Sequence, residues 1–140
     1  SSKLVTNIRT MKIFTLYALF ILLSLLTSCE KTTSFYYEIV NQTASTIYLN
    51  GTNIITNFPI NDSISPGQSK EVAAWSKFGK QTELLNPQAI FGTSFVVTNT
   101  DGDTLQKDIN SISNWNAVID EARAVAIHNY SFEINEIDFN

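Results

Sequence analysis

FYYEIV, residues 35–40, is the stretch that decides the fold, because its aromatic and β-branched side chains follow a two-residue alternation. Residues of this kind in this order are typical of a β-strand. The same period returns near the end of the chain, where Tyr130, Phe132 and Ile134 alternate with polar residues. Such a strand has one apolar face and one solvated face. The sequence therefore predicts strands at both ends of one β-rich domain.

Turn signals separate further short strands between these two, at intervals of roughly 8–12 residues. Asn50-Gly51 and Asp101-Gly102 are typical hairpin dipeptides, and Pro66-Gly67 suits a type II turn. Only residues 117–126 (AVIDEARAVA) favour a short helical turn. The pattern predicts an all-β, antiparallel β-sandwich of about seven strands. The predicted strands cover residues 35–40, 46–49, 52–60, 70–75, 90–99, 104–107 and 126–139, with 90–99 as the clearest central strand.

A different pattern precedes the strands. It has a positively charged start at Met11 and Lys12, an apolar run over residues 13–26, and two small polar residues before Cys29, the single cysteine. This order is the layout of an export signal peptide. The apolar run has 14 residues, whereas a membrane-spanning helix needs about 20. A signal helix is therefore favoured over a membrane-spanning or buried helix, and over a signal in which the cysteine is incidental.

Residues 26–29 (LTSC) resemble the bacterial lipobox. The resemblance implies that the Cys29 thiol takes a diacylglyceryl group and that the signal peptide is removed before Cys29. Two or more acyl chains hold a protein stably to a membrane, whereas one holds it only marginally. The expected organisation is an upstream segment with a lipoprotein signal peptide over residues 1–28, a lipidated cysteine and tether over 29–34, and the β-sandwich domain over 35–140.

The segment from Cys29 onward has 112 residues, which suits one domain with a core of its own. It holds all 13 acidic residues but only six of the nine basic ones, so its net charge is −7. A charge of this sign argues against a nucleic-acid partner. It also argues against electrostatic attachment to anionic lipid, which leaves the lipid on Cys29 as the expected membrane contact.

The chain as a whole resembles small lipoproteins of gut-type Bacteroidota. The features that carry the resemblance are the lipobox, the turn Ile64-x-Pro66-Gly67, Trp115 before a short loop, and the closing Tyr130-x-Phe132-x-Ile134-x-x-x-Asp138-Phe139. The resemblance implies an immunoglobulin-like or transthyretin-like sandwich. It also implies a place in the cell envelope, as an outer membrane lipoprotein, with the periplasmic or surface face left open.

Residues with catalytic or metal-binding chemistry are sparse. His128 is the only histidine, and acid–base or nucleophilic catalysis usually needs a second positioned group. The stretch 101–104 (DGDT) lacks the further oxygen ligands of a calcium loop, and no spacing fits zinc. We therefore expect no catalytic residue, no cofactor and no metal. The carboxylates of Asp120, Glu121 and Glu133 leave a small hydrolase as a less favoured alternative.

Aromatic side chains that could stack on sugar rings are the remaining candidates for ligand contact: Trp75, Trp115, Tyr36, Tyr37, Tyr48 and Tyr130. Trp115 lies in a polar stretch (SISNWNA), so we expect it to be partly exposed, and Trp75 is the second candidate. Both could instead be core residues. The expected function is that of a lipid-anchored, non-enzymatic binding or scaffolding domain, with a glycan or an envelope protein as partner. The alternative is a carbohydrate-binding accessory lipoprotein that uses exposed aromatic residues.

Overall fold

In a computed structural model of the chain, residues 31–81 and 86–139 are described, so Cys29 and the predicted signal helix lie outside the description. The described part contains seven strands, one single-turn α-helix and two 3-10 turns. The strands are β1 (Thr32–Asn41), β2 (Ile47–Asn53), β3 (Phe58–Ile64), β4 (Ser69–Phe78), β5 (Val96–Thr98), β6 (Asn116–Glu121) and β7 (Val125–Ile134). The helix is α1 (Gln88–Phe91), and the 3-10 turns are η1 (Ile112–Asn114) and η2 (Glu136–Phe139).

The strands form two sheets, one with the order β4-β1-β7-β6 and one with the order β3-β2-β5. All strand pairs are antiparallel except β1 with β7, which run parallel. The predicted all-β sandwich of about seven strands is therefore confirmed, with one parallel pair at the centre of its larger sheet. If the seven strands are lettered A to G in chain order, the two sheets have the strand orders D-A-G-F and C-B-E. The two sheets of a constant immunoglobulin domain have the orders A-B-E-D and C-F-G instead. The transthyretin-like arrangement stays a prediction.

The alternation in FYYEIV places the core. Phe35, Tyr37 and Ile39 are fully buried, whereas Tyr36 and Glu38 between them are exposed. Burying one such apolar side chain contributes about 1.5–3 kcal/mol to folding. β7 follows the same period, as predicted, and β2 and β5 close the core from the second sheet. The buried apolar residues of these three strands are Ile47, Leu49, Val97, Ala126, Tyr130, Phe132 and Ile134.

The tether predicted over residues 29–34 is shorter than expected, because β1 begins at Thr32. Thr33 is fully buried, and its hydroxyl donates a 2.7 Å hydrogen bond to the carbonyl of Gly79. Residues 32–34 therefore belong to the four-stranded sheet and not to a free linker.

The hairpin predicted at Asn50-Gly51 is wrong, because both residues lie inside β2. The chain turns at residues 54–57 instead, where Asn57 has a φ of 54°. The side-chain oxygen of Asn53 accepts two backbone N–H groups of this turn. Gly51 is required for another reason: a Cβ atom there would lie 2.8 Å from the Cα of Phe95.

The central strand predicted over residues 90–99 is also wrong for most of its length. Gln88–Phe91 is a helical turn, and β5 is a short strand at the edge of the smaller sheet. Ile90 and Phe91 are nevertheless fully buried. A short apolar run does not distinguish a buried strand from a buried helical turn by its period, which explains the error.

The helical turn predicted over residues 117–126 is absent. Residues 116–121 form β6, which pairs antiparallel with β7. A tight turn closed by a 2.8 Å hydrogen bond from the Ala122 N–H to the Val125 carbonyl joins the two strands. Helix propensities differ by at most about 0.7 kcal/mol for ordinary residues, so pairing with a central strand outweighs them here.

Two predicted turns are confirmed. Gly67 has a φ of 70° after a proline, as a type II turn requires, and Gly102 has a φ of 87°. The strand predicted over residues 104–107, however, is reduced to one bridge between Thr98 and Thr104.

Candidate functional site

A cavity of about 550 Å³ lies on the face of the four-stranded sheet that is turned away from the core. We call it the outer-face cavity. It is formed by all four strands of that sheet, whose alternation directs one set of side chains outward. The residues that line it are Tyr36, Glu38, Glu71, Asn116, Val118, Ile127, Asn129, Tyr130 and Ser131.

One row of side chains across the sheet gives the cavity its apolar part. The strand register places Tyr36 beside Asn129, and Asn129 beside Val118. Tyr36 is 38% exposed and Val118 is 57% exposed. On its other side Tyr36 pairs with Ala74, whose small side chain leaves the tyrosine ring uncovered. The row therefore offers a tyrosine ring to a ligand, with an amide next to it.

The next row gives the cavity its polar part. Glu38 lies opposite Ser131 on β7 and opposite Glu71 on β4, and Ser131 lies opposite Asn116. The Ser69 hydroxyl donates a hydrogen bond to the Glu38 carboxylate. No lysine or arginine is among the lining residues. Carboxylates accept hydrogen bonds, whereas amides and hydroxyls both donate and accept them, so this row suits a ligand that carries several hydroxyl groups.

The partial exposure expected for Trp115 is not observed, since only 6% of this residue is accessible. Its indole N–H donates a 2.8 Å hydrogen bond to the Ile109 carbonyl, and its ring stacks on Phe91 with centroids 5.7 Å apart. The polar residues before it form η1, after which the indole points into the core. The ligand contact predicted for Trp115 therefore loses the exposure on which it depended.

Trp75, the second predicted ligand contact, is half-buried on β4. Its ring stacks on Phe35 and Tyr37, with centroid distances of 5.1 and 5.4 Å. Trp75 therefore covers one edge of the aromatic core and does not line the outer-face cavity.

His128 lies on β7 and is fully buried, in agreement with its prediction as a strand residue. Its Nε2 lies 2.9 Å from the Gln81 carbonyl oxygen, which can only accept, so Nε2 carries the proton. Nδ1 then accepts from the Tyr130 hydroxyl at 3.1 Å. Burial, followed by the nearby Tyr130 hydroxyl and its hydrogen bond, raises the pKa of Tyr37. These polar groups satisfy one another inside the core.

The carboxylates that suggested a hydrolase lie apart from the outer-face cavity. Glu121 forms ion pairs with Lys80 at 2.8 Å and with Lys31 at 3.4 Å. The hydrogen bond from Lys80 is the main cause that lowers the pKa of Glu121. Asp120 and Glu133 are exposed on β6 and β7. Within the described ranges no three histidine, cysteine, aspartate or glutamate side chains group as a metal site would need.

Sequence reasoning missed Glu38 as a site residue and gave Tyr36 only as one of several aromatic residues that could stack on a sugar ring, although a stronger signal for both was present. The alternation in FYYEIV that buries Phe35 and Tyr37 also turns Tyr36 and Glu38 to the opposite face. An exposed tyrosine beside an exposed carboxylate on a central strand was thus readable from the pattern.

Comparisons of the chain with protein-family models, with curated proteins and with solved structures found no match. No helix in residues 31–81 or 86–139 has the length and apolar character needed to span a bilayer. The features of the chain that bear on its function are the signal-like stretch over residues 11–29 and the outer-face cavity of the larger sheet.

Proposed function

We propose that the chain is a bacterial envelope lipoprotein, held to a membrane by lipid on Cys29, with a sandwich that acts as a non-enzymatic binding or scaffolding domain. The observation that carries the proposal is the stretch over residues 11–29, with its charged start, its apolar run of 14 residues and its terminal cysteine. The resemblance to small lipoproteins of gut-type Bacteroidota supports an outer membrane location.

The start of the sandwich agrees with this arrangement. β1 begins at Thr32, three residues after Cys29, so a folded domain of acidic character follows the cysteine at once. Two or more acyl chains on Cys29 would hold this domain at the membrane, because each buried methylene contributes about 0.8 kcal/mol.

Metabolic labelling with a fatty-acid probe, followed by membrane fractionation, tests the anchor. Cys29→Ser should abolish the label and release the protein from the membrane fraction. Ser28→Ala is the matched control, because alanine keeps a small residue before the cysteine, and it should leave both measurements unchanged. A Cys29→Ser protein that keeps its label and its membrane fraction would refute the anchor.

A second candidate function is recognition of a glycan in the outer-face cavity. The specific observation that favours it is the exposed ring of Tyr36, which lies beside Asn129, with the carboxylate of Glu38 two residues farther along the same face of β1. Sugar rings present C–H groups to an aromatic face and hydroxyl groups to amides and carboxylates. The apolar row of the cavity would contact the C–H groups of the sugar, and the polar row would contact its hydroxyl groups.

Glycan-array screening followed by titration of the best ligand tests this candidate. An aromatic contact contributes about 0.5–1.5 kcal/mol beyond area burial, so Tyr36→Ala should weaken binding about two- to tenfold. Tyr48→Ala is the matched control, because Tyr48 is 46% exposed on the other sheet. Equal affinity of the Tyr36→Ala and Tyr48→Ala proteins would exclude this cavity as the glycan site.

The proposal includes the absence of turnover, and this too can be tested. Glu38 and Glu71 lie directly opposite each other on neighbouring strands, and glycosidases use two carboxyl groups that flank a bond. Incubation of the wild-type protein with any bound glycan should leave the glycan intact. Release of reducing sugar that disappears in Glu71→Gln would replace the binding function with a hydrolase.

A further inference from the structure

One end of the sandwich gathers the beginnings of β1 and β7 and the ends of β4 and β6. Thr32, the first residue of β1, pairs with Phe78 at the end of β4 and with Val125 at the start of β7. The Lys31 carbonyl accepts a 2.6 Å hydrogen bond from the N–H of Gly79. We call this part of the molecule the Lys31 end.

The Lys31 end differs from the remainder of the sandwich in charge. Among the described residues, this end holds four basic side chains and two acidic ones, Asp120 and Glu121, so its net charge is +2. The other described residues carry nine acidic and two basic side chains, a net charge of −7. Two acidic residues outside the described ranges adjoin this end in sequence, Glu30 before Lys31 and Glu83 three residues after Lys80. With both counted, the end is neutral, whereas the remainder keeps its net charge of −7. The basic residues at this end are Lys31, Lys77, Lys80 and Arg123, four of the six that follow Cys29.

The same end exposes apolar side chains. Phe78 is 81% exposed and Val125 is 41% exposed. Both flank Thr32, so the three side chains form one row on the same face of the sheet. An exposed phenylalanine next to basic side chains is typical of surfaces that enter the interfacial region of a bilayer.

We propose that the Lys31 end is a docking surface for an anionic lipid bilayer, with Phe78 seated among the headgroups and the exposed side chains of Lys77 and Arg123 on the lipid phosphates. The inference rests on the proposed lipid at Cys29. Lys31 is the second residue after Cys29, and two residues reach at most about 7 Å, so a lipid on Cys29 would hold this end at the bilayer.

The uneven charge gives the docking a direction. A net charge of −7 after Cys29 argued against attraction to anionic lipid, but that argument treats the charge as uniform. An anionic surface attracts the basic side chains of the Lys31 end and repels the acidic remainder, so both forces turn the molecule the same way. These forces act within about 8 Å at physiological salt, and the short link to Cys29 keeps the Lys31 end within that range.

A fluorophore at a single introduced cysteine tests the inference in the full lipidated protein. The lipid consumes the Cys29 thiol, so the introduced cysteine is the only free thiol. Phe78→Cys reports on the Lys31 end, and Ser65→Cys, at the turn between β3 and β4 at the opposite end, is the control. The protein is placed in phosphatidylglycerol-containing vesicles, and nitroxide-labelled lipid serves as quencher. We expect at least about twofold stronger quenching at position 78 than at position 65.

Charge variants test the choice of an anionic partner. The double variant Lys77→Gln with Arg123→Gln should lower the quenching at position 78, as should replacement of phosphatidylglycerol by phosphatidylcholine. Lys70→Gln is the matched control, because Lys70 pairs with Asp62 away from the Lys31 end. Quenching at position 78 that ignores lipid charge would overturn the anionic partner.

The remaining outcomes separate this inference from the proposed function. A protein that stays on the vesicles with equal, weak quenching at positions 78 and 65 refutes the docking surface and leaves the anchor intact. A protein that does not stay on the vesicles refutes the anchor, and the docking surface with it. Circular dichroism of each variant should match the wild type, since every substituted residue at this end is exposed.

Discussion

Trp115 offers a direct test of the core, because replacing it should cost stability and should not act through a ligand. The residue is 6% exposed, and its indole N–H donates a 2.8 Å hydrogen bond to the Ile109 carbonyl. Its ring contacts Tyr37 and Phe132, with centroid distances of 5.2 and 5.1 Å. The substitution Trp115→Ala removes all of these contacts at once, whereas Trp115→Phe keeps most of the ring and removes the hydrogen bond.

The expected magnitudes follow from these two losses. A large aromatic residue replaced by alanine in a core costs about 3–5 kcal/mol. Domains of this kind have a free energy of unfolding of about 5–15 kcal/mol, so Trp115→Ala should lose a large share of its stability. In Trp115→Phe the buried carbonyl of Ile109 loses its partner, which costs about 1–3 kcal/mol.

Urea unfolding followed by circular dichroism measures both values. The chain has two tryptophans, so each single variant keeps one indole as an independent fluorescence reporter. Trp75→Phe is the control: Trp75 is half-buried and its aromatic stacking survives the change. The smaller ring removes only part of the contacts of a half-buried side chain, so Trp75→Phe should cost less than the about 3–5 kcal/mol expected for Trp115→Ala.

The burial of Trp115 would be refuted if Trp115→Ala and Trp115→Phe each cost less than about 0.5 kcal/mol, the usual range for a surface substitution. In that case the indole would be accessible, and its original interpretation as a ligand contact would regain its basis. A loss of glycan binding in Trp115→Ala at full stability would point the same way.

Further expectations concern backbone packing, a buried amide and pH. Gly51→Ala should destabilise the fold by about 1–3 kcal/mol in urea unfolding, because its Cβ would meet Phe95 at 2.8 Å; an unchanged midpoint contradicts the close approach. Asn41→Ala should cost about 2–4 kcal/mol, because its side chain binds the Ile64 carbonyl and the Thr43 N–H inside the fold; Asn41→Asp should recover only part of that loss. Burial raises the pKa of Tyr37, so its stabilising effect is complete below about pH 10 and is lost as the pH rises further. Tyr37→Phe should therefore flatten the fall of unfolding free energy above about pH 10, and a parallel fall in both proteins contradicts this assignment.

The parts of the fold that follow from local alternation were predictable. β1 and β7 alternate strictly between core and solvent, and a period of two is visible in one sequence. The same period places Tyr36 and Glu38 on one outward face. Their neighbours Glu71 and Asn129 depend on strand register, which joins segments far apart in the chain. The outward position of Tyr36 and Glu38 could therefore be predicted from the sequence, whereas their neighbours across the sheet could not.

The wrong predictions share a nonlocal cause. Asn50-Gly51 has the composition of a hairpin, but the close approach of Phe95 is what requires the glycine. Residues 117–126 have the composition of a helix, but β7 offers them an open strand edge. Trp115 has polar neighbours in sequence and aromatic neighbours in space. In each case the deciding contact comes from a distant part of the chain.

The parallel pairing of β1 with β7 has a consequence for how the chain folds. Phe35 pairs with His128, 93 residues later, so the centre of the larger sheet joins nearly the two ends of the domain. Pairing over such a distance is slow, because loop closure must precede any gain from the contacts. The central sheet cannot assemble until β7 has been synthesised. The proposed export of an unfolded chain across a membrane would benefit from this delay, since the compact state cannot form before β7 has been made.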